Sequence, residues 1–260
     1  MSGNYPEIDE VISFIHQNLY EPISLSGLAR EAAYSPYHFT RIFKERTGLT
    51  PQYYVASVRL QKAKDLLINT NLSVRDIGME IGQQSLGTFT TRFTKRVGLS
   101  PSQFRHSRQQ AGEDFFALKQ LNKSRLLLHD VQRKVEVKGI IRGEAPFDGF
   151  VLIGLFPKPI PEGMPLYGTL LFSLGNFSFS NVKPGTYYLM ATSVTWDMQP
   201  IDFLLPHRTL RYKANGPLIV KPNLPVPFLD ITLRSPRLDD PPILISLPRL
   251  MNNFLQRTNQ

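Results

Sequence analysis

An internal repeat in the first part of the chain constrains the fold more than any other feature of this sequence. One copy runs from Ser24 to Tyr54 and the other from Ser73 to Phe104, and Phe39 of the first corresponds to Phe89 of the second. Each copy has helical periodicity on both sides of a turn, and each contains Gly-Leu-Thr/Ser-Pro, a helix stop followed by a new start. Each copy therefore predicts a helix-turn-helix unit.

Two further helices are predicted around the copies. Apolar residues at spacings of three and four indicate a helix over Ile8–Leu19, and a similar pattern indicates another over Pro51–Ile68. The second would be roughly 27 Å long at about 1.5 Å per residue. A spacer of that length can hold two helices about one DNA turn apart, roughly 34 Å.

The charge of the chain favours a polyanionic partner. The net charge is +9 and the pI is about 9.7. The stretch from Ile81 to Gly112 contains no Asp or Glu, whereas it contains five cations: Arg92, Lys95, Arg96, Arg105 and Arg108. A basic helix that follows a turn and has an apolar back face is typical of a protein that presents a helix to a DNA groove.

The stretch from about Ile8 to Arg105 resembles the DNA-binding domain of AraC/XylS-type transcription regulators. The motifs that carry the resemblance are Leu28-Ala29, Ser35 to Phe39, Arg41 to Lys44, Gly48 to Pro51, Ala63 to Leu67, Ile77-Gly78, Ile81-Gly82, Phe89, Arg92-Phe93 and Gly98 to Arg105. The resemblance implies two helix-turn-helix units joined by a long helix, which together read successive major-groove segments of double-stranded DNA.

The resemblance places the DNA contacts on the second helix of each unit. Arg41 is the best candidate for a bidentate contact to guanine. Gly87, at an outward position of the second copy, has no side chain, so we expect the first copy to read sequence and the second mainly to grip phosphates. Capping or phosphate contact is the alternative role for Arg46 and Arg96. The predicted DNA-binding residues are Tyr37, His38, Thr40, Arg41, Lys44, Arg46, Thr88, Thr91, Arg92, Lys95 and Arg96.

The composition changes near residue 110, where 5 of the 21 prolines lie before the change and 16 after it. Short alternating apolar segments separated by Pro and Gly then indicate a β-sandwich. The sequence predicts a multidomain protein, with an all-α double helix-turn-helix domain over 1–107, a linker or arm over 108–130 and a mainly-β sandwich over 131–260. The apolar pattern over 239–255 indicates a terminal helix that docks on its own domain or on a partner.

The run from Gly175 to Leu189 resembles a motif of transthyretin-like sandwich domains, such as the carboxypeptidase regulatory-like families. The resemblance implies a structural or interaction module and transfers no functional residue. A GyrI-like effector module is a further alternative for this part, but the shortage of amphipathic helices after residue 131 argues against it.

Catalytic, metal and cofactor sites are not expected. The chain has no cysteine, which excludes disulfides, thiolate metal sites and the acceptor that DNA-repair alkyltransferases with AraC-like domains need. No phosphate-binding loop, zinc-protease or serine-hydrolase motif occurs, and the five histidines have no metal-ligand spacing. We therefore expect a protein that is not an enzyme and uses no cofactor.

The prediction for function is a sequence-specific DNA-binding transcription regulator, an activator or a repressor, with a C-terminal sensing or oligomerisation domain. Candidate partners besides DNA are RNA polymerase, a small-molecule or peptide effector and a second copy of the chain. The polar, acidic start and the lack of a long apolar run predict a cytoplasmic protein with no membrane contact. One alternative is a non-regulatory DNA-binding or scaffolding protein with a protein-interaction sandwich. The other is an enzyme, but the sequence contains no set of catalytic residues that supports it.

Overall fold

The computed structural model describes residues 5–83, 85–124, 136–222 and 224–258. The chain divides into two compact units. The first unit comprises Met1–Arg105 with Arg237–Leu244, and the second comprises His106–Pro236 with Ile245–Gln260. Within the described residues, no helix is both long and apolar enough to cross a membrane.

The first unit is helical up to its short C-terminal segment. The second helix of each predicted repeat has the same length, 12 residues, and one helix of 19 residues separates the two copies. The helices are α1 Pro6–Gln17, α2 Leu25–Glu31, α3 Pro36–Thr47, α4 Pro51–Asn69, α5 Val74–Glu80, α6 Leu86–Val97 and α7 Pro101–Arg105.

The two copies of the repeat build equivalent aromatic cores. In the first copy, the ring of Phe43 lies 5.5 Å from those of both Phe39 and Tyr54. In the second, the ring of Phe93 lies 5.7 Å from that of Phe89 and 5.8 Å from that of Phe104. All six rings are fully buried, because the apolar face of each helix is turned toward its partner in the unit.

A small residue permits the close crossing of α5 and α6. A Cβ atom added to Gly78 would lie 3.3 Å from the ring of Phe89. Such a contact is tighter than most, so a larger side chain would push the two helices apart.

The second unit contains two β-sheets. The smaller sheet has the order β4-β1-β8, in which β8 runs parallel to β1, and the larger has the order β3-β2-β5-β6, with β7 also paired to β5. The strands are β1 Glu136–Gly143, β2 Gly149–Phe156, β3 Tyr167–Leu171, β4 Gly175–Ser180, β5 Gly185–Thr195, β6 Arg211–Lys213, β7 Leu218–Val220 and β8 Leu229–Leu233.

Side chains from both sheets share one apolar core. Val137 and Ile141 of β1 contribute from the smaller sheet, and Ile153 of β2 and Leu189 of β5 contribute from the larger. Every residue of β2 is buried, which indicates that the larger sheet is covered on both faces. The C-terminal region is therefore β-rich, as predicted.

Helices cover the other face of the larger sheet. They are α8 Arg108–Ser124, α9 Pro200–Leu204 and α10 Leu247–Thr258. The ring of Phe115 in α8 lies 6.3 Å from that of Phe150 in β2 and 5.6 Å from that of Trp196, which follows β5. The terminal helix α10 packs within its own unit, where Phe254 contacts Phe172 with ring centroids 6.0 Å apart.

Two of the predicted boundaries differ from the structure. The predicted linker or arm over 108–130 begins with α8, in which Phe115 and the buried Leu118 pack within the second unit. Residues 125–130 lie outside the described residues. The expected sandwich over 131–260 contains residues 237–244, which the structure assigns to the first unit.

Candidate nucleic-acid interface

The second helix of each repeat begins and ends in the same way. The hydroxyl of Ser35 accepts a hydrogen bond from the backbone of His38 at the start of α3, and that of Ser85 accepts one from Thr88 at the start of α6. Both helices end at a glycine, where Gly48 has a φ of 83° and Gly98 a φ of 87°. The caps fix where each helix starts and stops, and hence which side chains face outward.

The outward face of α3 carries an aromatic ring and two cations. Tyr37 is 84% exposed, and Arg41 and Lys44 are also exposed. At about 100° per residue these three lie on one stripe, opposite the buried Phe39 and Phe43. A stripe of this kind can offer bidentate donors to base edges and a point charge to phosphate.

Two other predicted residues of α3 border this stripe and are half-buried. The hydroxyl of Thr40 donates to the backbone oxygen of Pro36 at 2.8 Å, which leaves its methyl group for apolar contact. The ring of His38 packs edge-on against Tyr34 at 4.8 Å. The phenol of Tyr34 donates to Glu7, which lowers the pKa of that carboxyl group.

Arg41 has a competing anion on its own helix. Its Nη1 lies 3.6 Å from Oε2 of Glu45, one turn later, and both side chains are about half exposed. An exposed pair of this spacing contributes only about 0.3–0.5 kcal/mol. Glu45 therefore orients the arginine in the free protein without preventing it from contacting DNA. The sequence did not predict this ion pair.

The outward face of α6 has a different character. Four of the predicted contact residues are exposed on it: Thr88, Thr91, Arg92 and Lys95. Arg92 donates to the side-chain oxygen of Gln83 at 3.3 Å. The position that corresponds to Arg41 is Thr91, so the central stripe of α6 has no cation there.

Thr94 was missed by the sequence reading. It is exposed, and its hydroxyl donates to the backbone oxygen of Thr90 one turn earlier. The offset of 50 residues that matches Phe39 with Phe89 also matches Lys44 with Thr94. The repeat itself therefore carries the signal for Thr94, at the position equivalent to the predicted contact Lys44.

Arg46 and Arg96 differ from the other predicted contact residues because protein groups hold both guanidinium groups. Arg46 lies 3.1 Å from a carboxylate oxygen of Asp9 and 2.9 Å from one of Asp239. Arg96 donates to the hydroxyl of Ser57 and lies over the ring of Tyr53, 4.5 Å from its centroid. Both arginines are half-buried, so protein groups partner two guanidinium groups that the sequence predicted as DNA contacts, with capping or phosphate contact as the alternative.

The long helix α4 separates the two copies. Its 19 residues span about 28 Å at about 1.5 Å per residue. Arg59 fastens its middle to the loop after α1, since its guanidinium donates to the backbone oxygens of Leu19 at 3.0 Å and Glu21 at 2.7 Å. These two hydrogen bonds hold the middle of α4, the element that separates α3 from α6.

Among the described residues, no group of three or more His, Asp or Glu side chains could hold a metal ion. The chemistry on the outward faces of α3 and α6 is that of hydrogen-bond donors, methyl groups and cations. Such faces recognise a polyanion with a patterned surface.

Comparison with known proteins places a family match on this part of the chain. Residues 28–107 match the model of a helix-turn-helix domain. A protein of Bacillus subtilis (strain 168) described as the uncharacterized HTH-type transcriptional regulator YobQ is 35% identical over 96 residues, which cover 37% of this chain and 40% of the relative. Another from that strain, the bifunctional transcriptional activator/DNA repair enzyme AdaA, is 37% identical over 98 residues, covering 38% and 46%.

A crystal structure of a transcriptional regulator of the AraC type from Chromobacterium violaceum is 28% identical and covers 39% of this chain and 91% of its own, with a TM-score of 0.38. The chain spans less than half the length of the two Bacillus relatives. Residues 28–107 therefore match a helix-turn-helix domain, and the Bacillus relatives that align with this part of the chain are described as transcription regulators.

Proposed function

We propose that this protein is a sequence-specific DNA-binding regulator of transcription. The first unit places α3 and α6 in successive major-groove segments of double-stranded DNA, with α4 as the spacer between them. The second unit senses an effector or forms oligomers. The observation that carries the proposal is the pair of capped, equally long helices whose outward faces are exposed and free of core residues.

The two helices differ in what they contribute to binding. Arg41 supplies the bidentate donor to guanine, Tyr37 and the methyl group of Thr40 supply apolar contacts, and Lys44 pairs with phosphate. On α6, the threonines provide methyl and hydroxyl contacts, whereas Lys95 pairs with phosphate. We infer that α3 carries most of the sequence discrimination, because its central stripe has the donors that read guanine.

The second unit acts by shifting the population of a DNA-competent arrangement. Its two sheets with a shared core support the transthyretin-like sandwich that the sequence resembled, a class of module that serves structural or interaction roles. A small-molecule or peptide effector, RNA polymerase and a second copy of the chain remain the proposed partners.

Selection of binding sites from random double-stranded DNA tests the function. The full chain is expected to enrich one motif with two half-sites about one helical turn apart, roughly 34 Å. Enrichment of no motif, with uniform coverage of any DNA, would instead support the non-regulatory DNA-binding protein and would end the proposal.

The variant Arg41→Ala tests the role of α3. It is expected to lose roughly 5- to 150-fold in affinity for the selected motif, the equivalent of about 1–3 kcal/mol, and to relax the preference at one guanine. Arg249→Ala is the matched control, because Arg249 is an exposed arginine of α10 in the second unit and its loss changes the net charge equally. An unchanged motif for Arg41→Ala would contradict the assignment.

A further inference from the structure

A short segment from near the end of the chain is part of the first unit. Residues Arg237–Leu244, which we call the strap, follow β8 and precede α10, both of which belong to the second unit. The strap has no regular secondary structure, yet Ile243 is 5% exposed and Leu244 is fully buried. A buried segment without a helix or strand must obtain its hydrogen bonds from its neighbours.

The first anchor of the strap is the end of the recognition helix α3. Nη1 of Arg46 lies 2.9 Å from Oδ2 of Asp239, and Nη2 of the same guanidinium lies 3.1 Å from Oδ1 of Asp9 in α1. Arg46 lies in the last turn of α3. One guanidinium group therefore joins α1, α3 and the strap.

The remaining anchors lie along α4. The phenol of Tyr54 donates to the backbone oxygen of Leu238 at 3.3 Å, and Nζ of Lys64 donates to that of Ile243 at 2.9 Å. Ten residues of α4 separate the two donors, and the two acceptors lie on either side of Asp239 and Asp240, which lie in a turn closed by a hydrogen bond from Asp240 to Arg237. The strap is therefore attached to α4 at two separate points.

These anchors are buried and chemically specific. Tyr54 and Lys64 are both fully buried. Without the strap the amine would lose its acceptor in an apolar site, whereas the phenol would keep its hydrogen bond with Nε2 of His16 at 3.2 Å. Burial and the nearby carboxylates of Asp239 and Asp240 raise the pKa of Tyr54, which keeps its phenol a donor. Nζ of Lys64 also lies 5.5 Å from the ring centroid of Phe104 in α7, which belongs to the second repeat.

We propose that the strap is a positioning element of the DNA-reading unit, and that its seating on α3 and α4 makes DNA binding dependent on the C-terminal part of the chain. This inference rests on the proposed function of α3. A seated strap holds α1, the end of α3 and α4 in one arrangement. A released strap leaves Arg46 with one carboxylate partner and removes the acceptor of Lys64, so the start and the end of α4 are no longer held.

The test uses the full chain and two readouts, of which only one involves DNA. Asp239→Asn removes the charge that pairs with Arg46 and leaves Asp9 in place. Asp230→Asn is the matched control, since Asp230 forms an exposed ion pair with Arg142 in the second unit and its loss changes the net charge by the same amount. Hydrogen exchange measured by mass spectrometry reports the first unit, and titration with the selected DNA motif reports binding.

In Asp239→Asn we expect faster exchange in the last turn of α3 and in α4, with no change in peptides of the second unit. We also expect a loss of DNA affinity on the order of fivefold, while the control retains wild-type behaviour in both readouts. Lys64→Met provides a second variant that releases the other end of the strap, and it should increase exchange near the end of α4.

Unchanged exchange in both strap variants would overturn the inference. So would faster exchange in α3 and α4 with wild-type DNA affinity, because the strap would then have no role in positioning the reading helix. If the wild-type chain selects no DNA motif, the proposed function is wrong. The exchange data then test by themselves whether the strap holds α3 and α4.

Discussion

Replacing Lys64 by methionine is expected to change how the free energy of unfolding depends on pH. The amine of Lys64 is fully buried between α4, α7 and the strap, and this burial lowers its pKa from 10.5 to about 7, although the charge of Asp65 opposes the shift. Between these two values the unfolded chain binds a proton that the folded chain does not. Wild-type stability should therefore rise with pH across this window and be lost again as pH falls toward 7.

The size of the effect follows from the shift. A single proton contributes up to about 1.4 kcal/mol per pH unit, and integration between about pH 7 and about pH 9 gives roughly 2 kcal/mol. Methionine fills a similar volume and does not titrate. The loss of the hydrogen bond to Ile243 changes the stability of Lys64→Met by the same amount at every pH. Over this range the free energy of unfolding of the wild type should therefore increase by about 2 kcal/mol relative to that of Lys64→Met.

Urea denaturation followed by far-ultraviolet circular dichroism measures the effect, because helices dominate that signal. Both proteins are compared near pH 7 and near pH 9. Lys44→Met is the control, since the ammonium group of this exposed lysine lies in solvent in both states. If wild type and Lys64→Met change in parallel between the two pH values, the amine is not desolvated in the folded protein and the reasoning is refuted.

Two further predictions concern the recognition helices. Gly48→Ala should destabilise the first unit by about 1 kcal/mol, because the φ of 83° at Gly48 disfavours any Cβ atom. Gly87→Ala, on the exposed first turn of α6, should be neutral or stabilising by up to about 1 kcal/mol. Thermal unfolding of the two variants measures the difference, and equal losses of stability would contradict the argument. Thr91→Arg gives α6 the cation that Arg41 gives α3, so DNA affinity should rise and the slope of log K against log salt should steepen by about 1. An unchanged salt slope would show that position 91 does not approach the phosphates.

Much of the first unit could be predicted because its signals are local. The glycine stops and the Phe39/Phe89 correspondence lie within one or two turns of the elements that they define. The duplication also helps, because the helix boundaries predicted in one copy can be compared with those predicted in the other. The outward residues of α3 followed from the same periodicity.

What could not be predicted depends on partners far away in the chain. Arg46 looked like a surface cation because the carboxylate of Asp239 that pairs with it lies in another part of the sequence. The segment beginning at Arg108 looked like a linker because Phe115 packs on Phe203 and Trp196, and no periodicity within α8 shows those contacts. The parallel pairing of β1 with β8 likewise joins strands that are separated by most of the second unit.

The strap also has a consequence for the order in which the protein is made. The helices of the first unit are complete when Arg105 has been synthesised, but the acceptor for Lys64 arrives only with Ile243. At about 5–20 residues per second, a ribosome needs roughly 7–28 s to add the intervening chain. During that interval the nascent reading unit keeps a lysine solvated where the finished protein buries one, so its final packing waits for translation of the C-terminal part.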